Sequence, residues 1–197
     1  MSQVQLLRAA DYPRMPWKNG GGSTLEIARD QGEGLEGFGW RLSIADIGES
    51  GGFSAFNGYQ RIITVLEGQG MQLQVDAAVS RPLLPLDPFA FAGDSRVDCR
   101  LLGGAIRDFN LIYAPQRYAA RLQWLVVQAP QRLFSSASSL LLFNAGEALQ
   151  VRLDGADCAS LGRYDCLQIK RAGGALAELQ LQADVAGACC LIELSRR

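Results

Sequence analysis

The sequence predicts an all-β protein built from antiparallel strands, and three observations lead to this fold class. Apolar and polar residues alternate with a period of two, as in the segments 71–75, 149–153 and 177–183. Glycine-containing turn signals separate the alternating segments. One arrangement of strands occurs twice along the chain. Many short strands joined by glycine turns are typical of a sandwich or a barrel.

The individual elements follow from the same alternation. In residues 41–47 the odd positions share one face, so this segment and the three above are expected to be half-buried strands. The proline-rich segment 81–88 is expected to be an ordered loop or an edge, because proline lacks the N–H that a central strand needs. The β-branched end of 119–127 favours a strand over a helical turn. Turns are predicted at 67–70, 144–147, 154–155 and 172–174.

The two halves of the chain are weakly similar to each other. Residues 61–75 follow the order strand, glycine turn, alternating strand, and residues 140–153 follow it again. A duplicated barrel explains this repeat, and no flexible linker interrupts the chain between the halves. We therefore predict an N-terminal barrel over residues 1–113, which carries the ligand site, fused without a linker to a C-terminal barrel over residues 114–197.

The composition excludes several classes of function. The net charge of −1 argues against a nucleic-acid-binding protein, which needs a basic surface. The absence of histidine removes Ser-His-Asp and Cys-His nucleophiles, HExxH zinc sites and two-histidine iron sites, so no metal is expected by these routes. Of the 19 basic residues, all but Lys18 and Lys170 are arginine. Arginine is the better partner for carboxylates, although arginine-rich usage is also a genomic habit.

The cysteines and the N-terminus indicate a compartment. Five cysteines, an odd number without a CxxC pair, fit buried free thiols in a reducing cytoplasm better than disulfides or zinc ligands. The N-terminus lacks a continuous apolar segment, and no stretch approaches the roughly 18 apolar residues of a membrane span. We expect a cytoplasmic protein with no membrane partner. Free strand edges make a homodimer an expectation for its assembly.

The first part of the candidate site combines glycines with polar and aromatic side chains. Trp17, Lys18 and Asn19 precede three consecutive glycines, and Thr24 follows them. Glycine lets a backbone approach a ligand closely, and this run is neither a Walker A motif nor GxGxxG. We interpret the segment as a ligand-facing loop that offers backbone N–H groups, Asn19 and Thr24, or alternatively as a plain loop stabilised by glycine.

Buried polar residues on strands form the second part of the candidate site. Arg41 and Ser43 are two residues apart and share a face, and Arg61 lies on the apolar face of a later strand. A charge at such a position needs a carboxylate from a ligand or from the protein. Asn110 begins an apolar strand and is expected to be a buried amide with partners. The protein carboxylates that compete with a ligand for Arg61 are Asp46, Glu67, Asp94 and Asp108.

Together these side chains are suited to binding an anion. Phe53 and Phe56, between the two arginine-bearing strands, either wall a pocket or plug the end of a barrel. A catalytic role would rest on Asp108, Lys18 or a tyrosine, and no spacing pairs one of them with a nucleophile. We assign no catalytic residue from the sequence.

Three longer segments of the first half contain these residues. They read MPWKNGGGSTLEIA at 15–28, WRLSIADIGESGGFSAFNGYQRIITVLEGQG at 40–70 and FAGDSRVDCRLLGGAIRDFN at 91–110. With them the sequence resembles the HutD/Ves family, whose members are associated with histidine-utilisation operons. The second half is similar to the family only in strand pattern and length.

The resemblance implies a bicupin, an RmlC-like double β-barrel of antiparallel strands, without the histidine motif of metal-dependent cupins and without a cofactor. It also implies a small-molecule-binding regulatory or accessory protein of histidine catabolism. The ligand-binding residues that the resemblance implies are Trp17, Asn19, Thr24, Arg41, Ser43, Arg61 and Asn110, and we add Lys18 from the same segment.

The implied ligand is an acidic intermediate of that pathway, a small carboxylate. Two arginines suit two carboxylates, which favours N-formylglutamate over urocanate. Urocanate has one carboxylate and a flat ring, for which Trp17, Phe53 or Phe109 would have to stack. One alternative is a metal-free cupin enzyme, an isomerase or hydrolase acting on a small carboxylate. Another is a module that binds a protein partner through an exposed apolar patch.

Overall fold

The computed structural model describes residues 2–17, 20–35, 37–171 and 175–197, and these residues form an all-β fold. They contain β-strands and one short 3₁₀ helix, Ala9–Asp11. Every strand pairing with a described register is antiparallel, so the predicted all-β antiparallel class is confirmed. No helix among the described residues is long and apolar enough to cross a membrane.

The chain divides into two compact units. The first unit is Pro13–Tyr118, and the second unit combines the residues up to Tyr12 with Ala119–Arg197. The strands, in chain order, are β1 (Gln3–Leu7), β2 (Arg14–Pro16), β3 (Gly22–Arg29), β4 (Trp40–Ile47), β5 (Gly51–Gly52), β6 (Gln60–Glu67), β7 (Met71–Val75), β8 (Ala78–Val79), β9 (Phe89–Ala92), β10 (Val97–Leu101), β11 (Ile106–Tyr113), β12 (Tyr118–Val127), β13 (Gln131–Ser135), β14 (Ser139–Asn144), β15 (Ala148–Leu153), β16 (Ala156–Gly162), β17 (Cys166–Lys170), β18 (Ala177–Gln182) and β19 (Gly187–Arg196).

Two sheets build the first unit. One has six strands in the order β2-β3-β4-β11-β6-β9, and the other has four in the order β5-β10-β7-β8. Their facing side chains form one apolar core, in which Ile63 and Val65 of the larger sheet belong to the same cluster as Leu73 and Val97 of the smaller. Each of these four side chains is nearly or fully removed from water. Burial of this apolar surface is the main force that holds the two sheets together.

The second unit has a similar pair of sheets. Five strands have the order β1-β17-β14-β19-β12 and four have the order β13-β18-β15-β16, with a shared core that includes Leu142, Leu167 and Leu179. Strand β1 belongs here because its backbone pairs with β17, from Gln3 opposite Lys170 to Leu7 opposite Cys166. The predicted boundaries placed this strand in the N-terminal half. Pairing between distant strands carries no local sequence signal, which explains the difference.

The predicted strands and turns can be compared with the structure one by one. Strands β7, β15 and β18 alternate between buried and exposed positions as expected. Strand β4 differs, because it is buried on both faces. Its even positions carry Leu42 and Ile44 instead of glutamine, and both are fully buried. The proline-rich segment 81–88 forms only isolated β-bridges, as expected for a loop or an edge. Segment 119–127 lies in a strand, as its β-branched residues predicted. The predicted turn at 172–174 lies outside the described residues.

The repeated sequence pattern corresponds to a repeated connection. In the first unit, β6 of the six-stranded sheet leads through a turn to β7 of the four-stranded sheet. In the second unit, β14 of the five-stranded sheet leads in the same way to β15 of the four-stranded sheet. Both connections therefore move the chain from the larger sheet of a unit to the smaller one.

Candidate functional site

A cavity of about 600 Å³ lies in the first unit against the six-stranded sheet. Alternate residues of β4 and β11 form its floor, since side chains two positions apart point to the same side of a strand. The residues that line the cavity are Met15, Pro16, Trp17, Thr24, Leu35, Arg41, Ser43, Ala45, Ile47, Gly52, Phe53, Ser54, Phe56, Arg61, Asp108, Asn110 and Ile112.

The register of the three central strands arranges the polar side chains in rows. Ile112 of β11 is opposite Arg41 of β4 on one side and Arg61 of β6 on the other. Neighbouring strands are roughly 4.8 Å apart, so the Cα atoms of the two arginines are about 10 Å apart. Asn110 and Asp108 follow at two and four residues along β11. The floor therefore presents two guanidinium groups, an amide and a carboxyl group to one cavity.

Arg61 is a buried cation that lines the cavity. Its Nη2 donates to Asn110 Oδ1 at 3.0 Å and its Nη1 donates to the Ser54 carbonyl oxygen at 3.2 Å. Its Nε is buried without a hydrogen-bond partner. Burial lowers the pKa of Arg61 to about 10, and the nearby charge of Arg41 acts in the same direction while Asp108 opposes both. The guanidinium therefore stays protonated at neutral pH, and its buried Nε–H has no protein partner.

Aromatic rings surround the same guanidinium. The Arg61 Cζ atom lies 5.4 Å from the ring centroids of Phe53 and Phe56 and 5.0 Å from that of Phe91. Ring faces attract cations, and apolar walls exclude the water that would otherwise weaken a charged hydrogen bond. Of the two alternatives for Phe53 and Phe56, both of which line the cavity, the structure shows the pocket wall.

Arg41 already has a protein carboxylate as a partner. Its Nε donates to Glu26 Oε2 at 2.8 Å, and Glu26 also accepts two hydrogen bonds from Arg29. Burial alone would raise the pKa of Glu26, but the hydrogen bonds from Arg29 and Arg41 outweigh it and lower that pKa. Arg41 Nη2 remains buried without a partner. One carboxylate thus balances two arginines, and the group keeps a net positive charge beside the cavity.

Asp108 and Asn110 connect the floor to Arg61. The Asn110 amide donates from Nδ2 to Asp108 Oδ1 at 3.3 Å while its Oδ1 accepts from Arg61. Asp108 Oδ2 is buried without a hydrogen-bond partner. Burial raises the pKa of Asp108 to about 7, against the opposing effects of Arg61 and of hydrogen bonds from Asn110 and the Ala45 backbone. Asp108 therefore changes its protonation state near neutral pH.

Trp17 and the glycines before Thr24 have a positioning role. The Trp17 indole donates from Nε1 to Thr24 Oγ1 at 2.9 Å. A Cβ atom at Gly22 would lie 3.0 Å from the Trp17 ring and would collide with the Asp46 carbonyl oxygen, so only glycine allows this close approach. Gly20, Gly21 and Gly22 line a separate open depression and not the arginine cavity. Of the two interpretations of the glycine run, these contacts favour a stabilised loop.

The structure brings six of the eight sequence-predicted ligand residues to one cavity. These are Trp17, Thr24, Arg41, Ser43, Arg61 and Asn110. Lys18 and Asn19 lie outside the described residues. Asp108, which the sequence suggests only as a possible partner of Arg61 or a catalytic residue, also lies on this floor, two residues from Asn110 on β11. Glu26 was missed altogether.

The partner of Arg41 had no clear sequence signal. Strand β3 has a register shift between Glu26 and Ala28, where the ladder to β4 is irregular. This bulge places Glu26 opposite Ser43 and within reach of Arg41. A bulge shifts the alternation of a strand, and periodicity alone does not locate it.

The described residues contain no group of three or more His, Cys, Asp or Glu side chains that could hold a metal ion. The polar groups that face the cavity are instead guanidinium, amide, hydroxyl and carboxyl groups. Such groups can bind a small anion by charge-assisted hydrogen bonds.

Several known proteins are similar to this chain. An uncharacterized 21.2 kDa protein in the hutC 3′ region of Pseudomonas putida is 64% identical over 197 residues and 100% of both chains. A solved structure of a conserved protein of unknown function from Pseudomonas aeruginosa PAO1 is 56% identical, with a TM-score of 0.96 over 98% of this chain and 99% of that one. HutD from Pseudomonas fluorescens SBW25, solved in a formate condition, is 58% identical, with a TM-score of 0.85 over 99% of this chain and 100% of that one.

More distant structures share the fold alone. The Escherichia coli protein Ylba is 8% identical, with a TM-score of 0.73 over 98% of this chain and 91% of that one. This likeness supports the all-β fold. The HutD family model matches residues 9–191, which is most of the chain. The chain therefore belongs to the HutD family.

Proposed function

We propose that this protein binds a small carboxylate metabolite in the arginine cavity and acts as a regulatory or accessory protein of histidine catabolism. The observation that carries the proposal is a pair of unused donors, Arg41 Nη2 and Arg61 Nε, both buried beside one cavity. A buried donor without a partner destabilises a protein by about 1–3 kcal/mol, so such groups are usually satisfied. A bound carboxylate would satisfy both.

N-formylglutamate is the proposed ligand, with urocanate next. Arg41 and Arg61 line the same cavity, and a dicarboxylate can use both guanidinium groups. Phe109 alternates away from Asp108 and Asn110 on β11 and does not line the cavity, so ring stacking by urocanate would depend on Trp17, Phe53 or Phe56. Arg41 already forms an ion pair with Glu26, whereas no ion pair is described for Arg61, so we propose Arg61 as the principal anchor.

Calorimetric titration with N-formylglutamate, urocanate and formate tests the proposal. We expect the first to bind most tightly. Arg61→Ala and Arg41→Ala should each weaken binding by about 2–5 kcal/mol if the contacts are desolvated. Arg96→Ala is the matched control, because the Arg96 side chain is 87% exposed and outside the cavity. Unchanged affinity in both cavity variants would reject the proposal, and tight binding of urocanate alone would reject the choice of ligand.

We also propose that each unit is one barrel of a metal-free bicupin. The paired sheets of each unit and the repeated sheet-to-sheet connection support this arrangement. The residues up to Tyr12, together with Ala119–Arg197, would form the second barrel. We also propose that the protein is cytoplasmic and forms a homodimer. Sedimentation of the purified protein tests the homodimer.

A second candidate function is a metal-free enzyme that acts on a small carboxylate. The specific observation in its favour is Asp108, a cavity-facing acid with a pKa raised to about 7 by burial, which suits proton transfer at neutral pH. Incubation with N-formylglutamate or urocanate, followed by NMR, distinguishes the two functions. Release of formate or isomerisation without added metal, lost in Asp108→Asn, would favour the enzyme. Intact ligand after long incubation would favour binding alone.

A further inference from the structure

The Asp108 carboxyl group on the cavity floor has two unequal oxygens, because Asn110 and the Ala45 backbone N–H interact with the group while Oδ2 has no hydrogen-bond partner. Asp108 is fully buried, and its Oδ1 accepts from Asn110 while its Oδ2 has no hydrogen-bond partner. No ion pair joins Asp108 to Arg41 or Arg61 among the described residues. A buried carboxylate oxygen without a donor is unfavourable, whereas a protonated one can itself donate to an acceptor. The free Oδ2 therefore fits an O–H donor better than a bare anion.

The charged groups around Asp108 come from several strands. Arg61 of β6 is the cation that most stabilises its ionised form, while Asp46 of β4 and burial favour the neutral form. Cys99 of β10 faces the same carboxyl group, and burial together with Asp108 raises the pKa of this thiol to about 12, so it stays neutral. Arg41 contributes a second positive charge beside Arg61. A ligand carboxylate bound to the arginines would add negative charge and shift Asp108 further towards its neutral form.

We propose that Asp108 is a specificity-determining residue that donates a hydrogen bond from Oδ2 to a second acceptor oxygen of the ligand, so that ligand binding takes up one proton. This inference rests on the proposed function. Asp108 lies four residues along β11 from Ile112, the residue that Arg41 and Arg61 flank. The second acceptor must therefore be several bonds away from the carboxylate that the arginines hold. A five-carbon diacid or an N-acyl amino diacid of the same length has such an acceptor, and a simple monocarboxylate lacks it.

The proposal makes the affinity depend on pH in one direction. Asp108 in the free protein loses its proton near pH 7, and the bound form needs that proton. The association constant should then fall by up to about tenfold for each pH unit above 7, and by up to about 100-fold between pH 7 and pH 9. A monocarboxylate that uses only the arginines should show a much flatter profile and no proton uptake.

Asp108→Asn separates this role from that of a simple counter-charge. Asparagine keeps an acceptor for Asn110 and presents an N–H donor in place of the protonated oxygen, but it does not titrate. We expect N-formylglutamate to bind the variant within about threefold of the wild-type affinity at pH 6. At pH 9 the variant should bind at least about tenfold more tightly than wild type. Asp98→Asn is the matched control, since Asp98 is a half-exposed acid on β10 outside the cavity.

The experiment is calorimetric titration between pH 6 and pH 9 in phosphate and in Tris, whose ionisation enthalpies differ, with N-formylglutamate, glutarate and butyrate as probes. For the first two probes, the difference between buffers should report uptake approaching one proton per ligand at pH 8. This measurement uses the wild-type chain, so it stands even if Asp108→Asn fails to fold.

Each result of this experiment has a stated meaning. Binding of N-formylglutamate without proton uptake, or with parallel pH profiles in wild type and Asp108→Asn, overturns the role of Asp108 and leaves the proposed function standing. A variant that binds more tightly by the same factor at every pH identifies Asp108 as a counter-charge and also overturns it. Failure of wild type to bind any probe at any pH rejects the proposed function, and this inference with it.

Discussion

Replacement of Arg61 by methionine separates the stability of the fold from the proposed binding function of the cavity. The Arg61 residue is only 6% exposed and is surrounded by phenylalanine rings. Burial lowers its pKa to about 10, from an ordinary value above 12. Methionine has a similar length, carries no charge and packs well against aromatic rings. The Arg61→Met variant therefore removes the charge with little change in volume.

The size of the effect follows from the pKa. One pKa unit corresponds to about 1.4 kcal/mol, so burial of this charge destabilises the folded state by about 3 kcal/mol at neutral pH. The hydrogen bonds to Ser54 and Asn110 each offset roughly 1 kcal/mol of this cost of burial. Both acceptors lie beside the cavity, so water can bind to them when the guanidinium is removed. We expect Arg61→Met to raise the free energy of unfolding by about 0–2 kcal/mol while it abolishes carboxylate binding.

Urea denaturation at pH 6 measures this effect under suitable conditions. At this pH Asp108, with its pKa of about 7, is mostly neutral and does not become an unpaired buried charge when Arg61 is removed. Arg96→Met, at a mostly exposed side chain, is the control and should change stability by less than about 0.5 kcal/mol. A loss of more than about 2 kcal/mol in Arg61→Met would refute the reasoning, because it would show that the buried arginine holds the fold together.

Three further predictions concern stability and thiol reactivity. Burial raises the pKa of Asp108 in the folded state to about 7, so its protonation favours folding only below that pH. The free energy of unfolding of wild type should therefore fall between pH 4 and pH 7 by up to about 4 kcal/mol relative to Asp108→Asn. Urea denaturation at each pH measures this difference. Gly68→Ala should lower the melting temperature by several degrees, because φ at Gly68 is +99° and a Cβ there would lie 2.8 Å from the Ala105 carbonyl oxygen. The control Gly104→Ala, where φ is +71° and a Cβ would meet no atom within contact distance, should lower it less. Equal losses in the two variants would contradict the steric argument. A thiol reagent should rapidly label about one cysteine of the native protein, Cys158, because the other four cysteines are buried. After unfolding, the reagent should label all five cysteines. Rapid labelling of several cysteines in the native protein would contradict their burial.

The strands and part of the site were accessible from the sequence because alternation is a local property. The Gln residues of β7 and β18 mark partly exposed positions, and the apolar residues between them mark the core. The same rule placed Arg41 and Ser43 on one face, and both line the cavity. A polar side chain at an inward position of an otherwise apolar strand is a visible exception to the pattern. The interpretation of the site rests on such exceptions.

The contacts that tune the site were not accessible in this way. Glu26 reaches Arg41 through a bulge in β3, and periodicity alone does not locate a bulge. Asp108 receives its raised pKa from complete burial and from the balance among Arg61, Asn110 and Asp46, which lie on three strands. Sequence spacing does not report the depth of a side chain or the distance between charges on separate strands.

Strand identity, turn position and the absence of histidine can be read directly from the chain, because each depends on residues that are neighbours or on composition alone. The inclusion of β1 in the second unit, the pairing of Arg41 with Glu26 and the free polar atoms around one cavity depend on strand register. Many long-range strand pairings are possible, and burial of the whole apolar surface determines which register forms. The predicted antiparallel sheets are therefore present, and their pairing brings Arg41, Arg61 and Asp108 to one cavity.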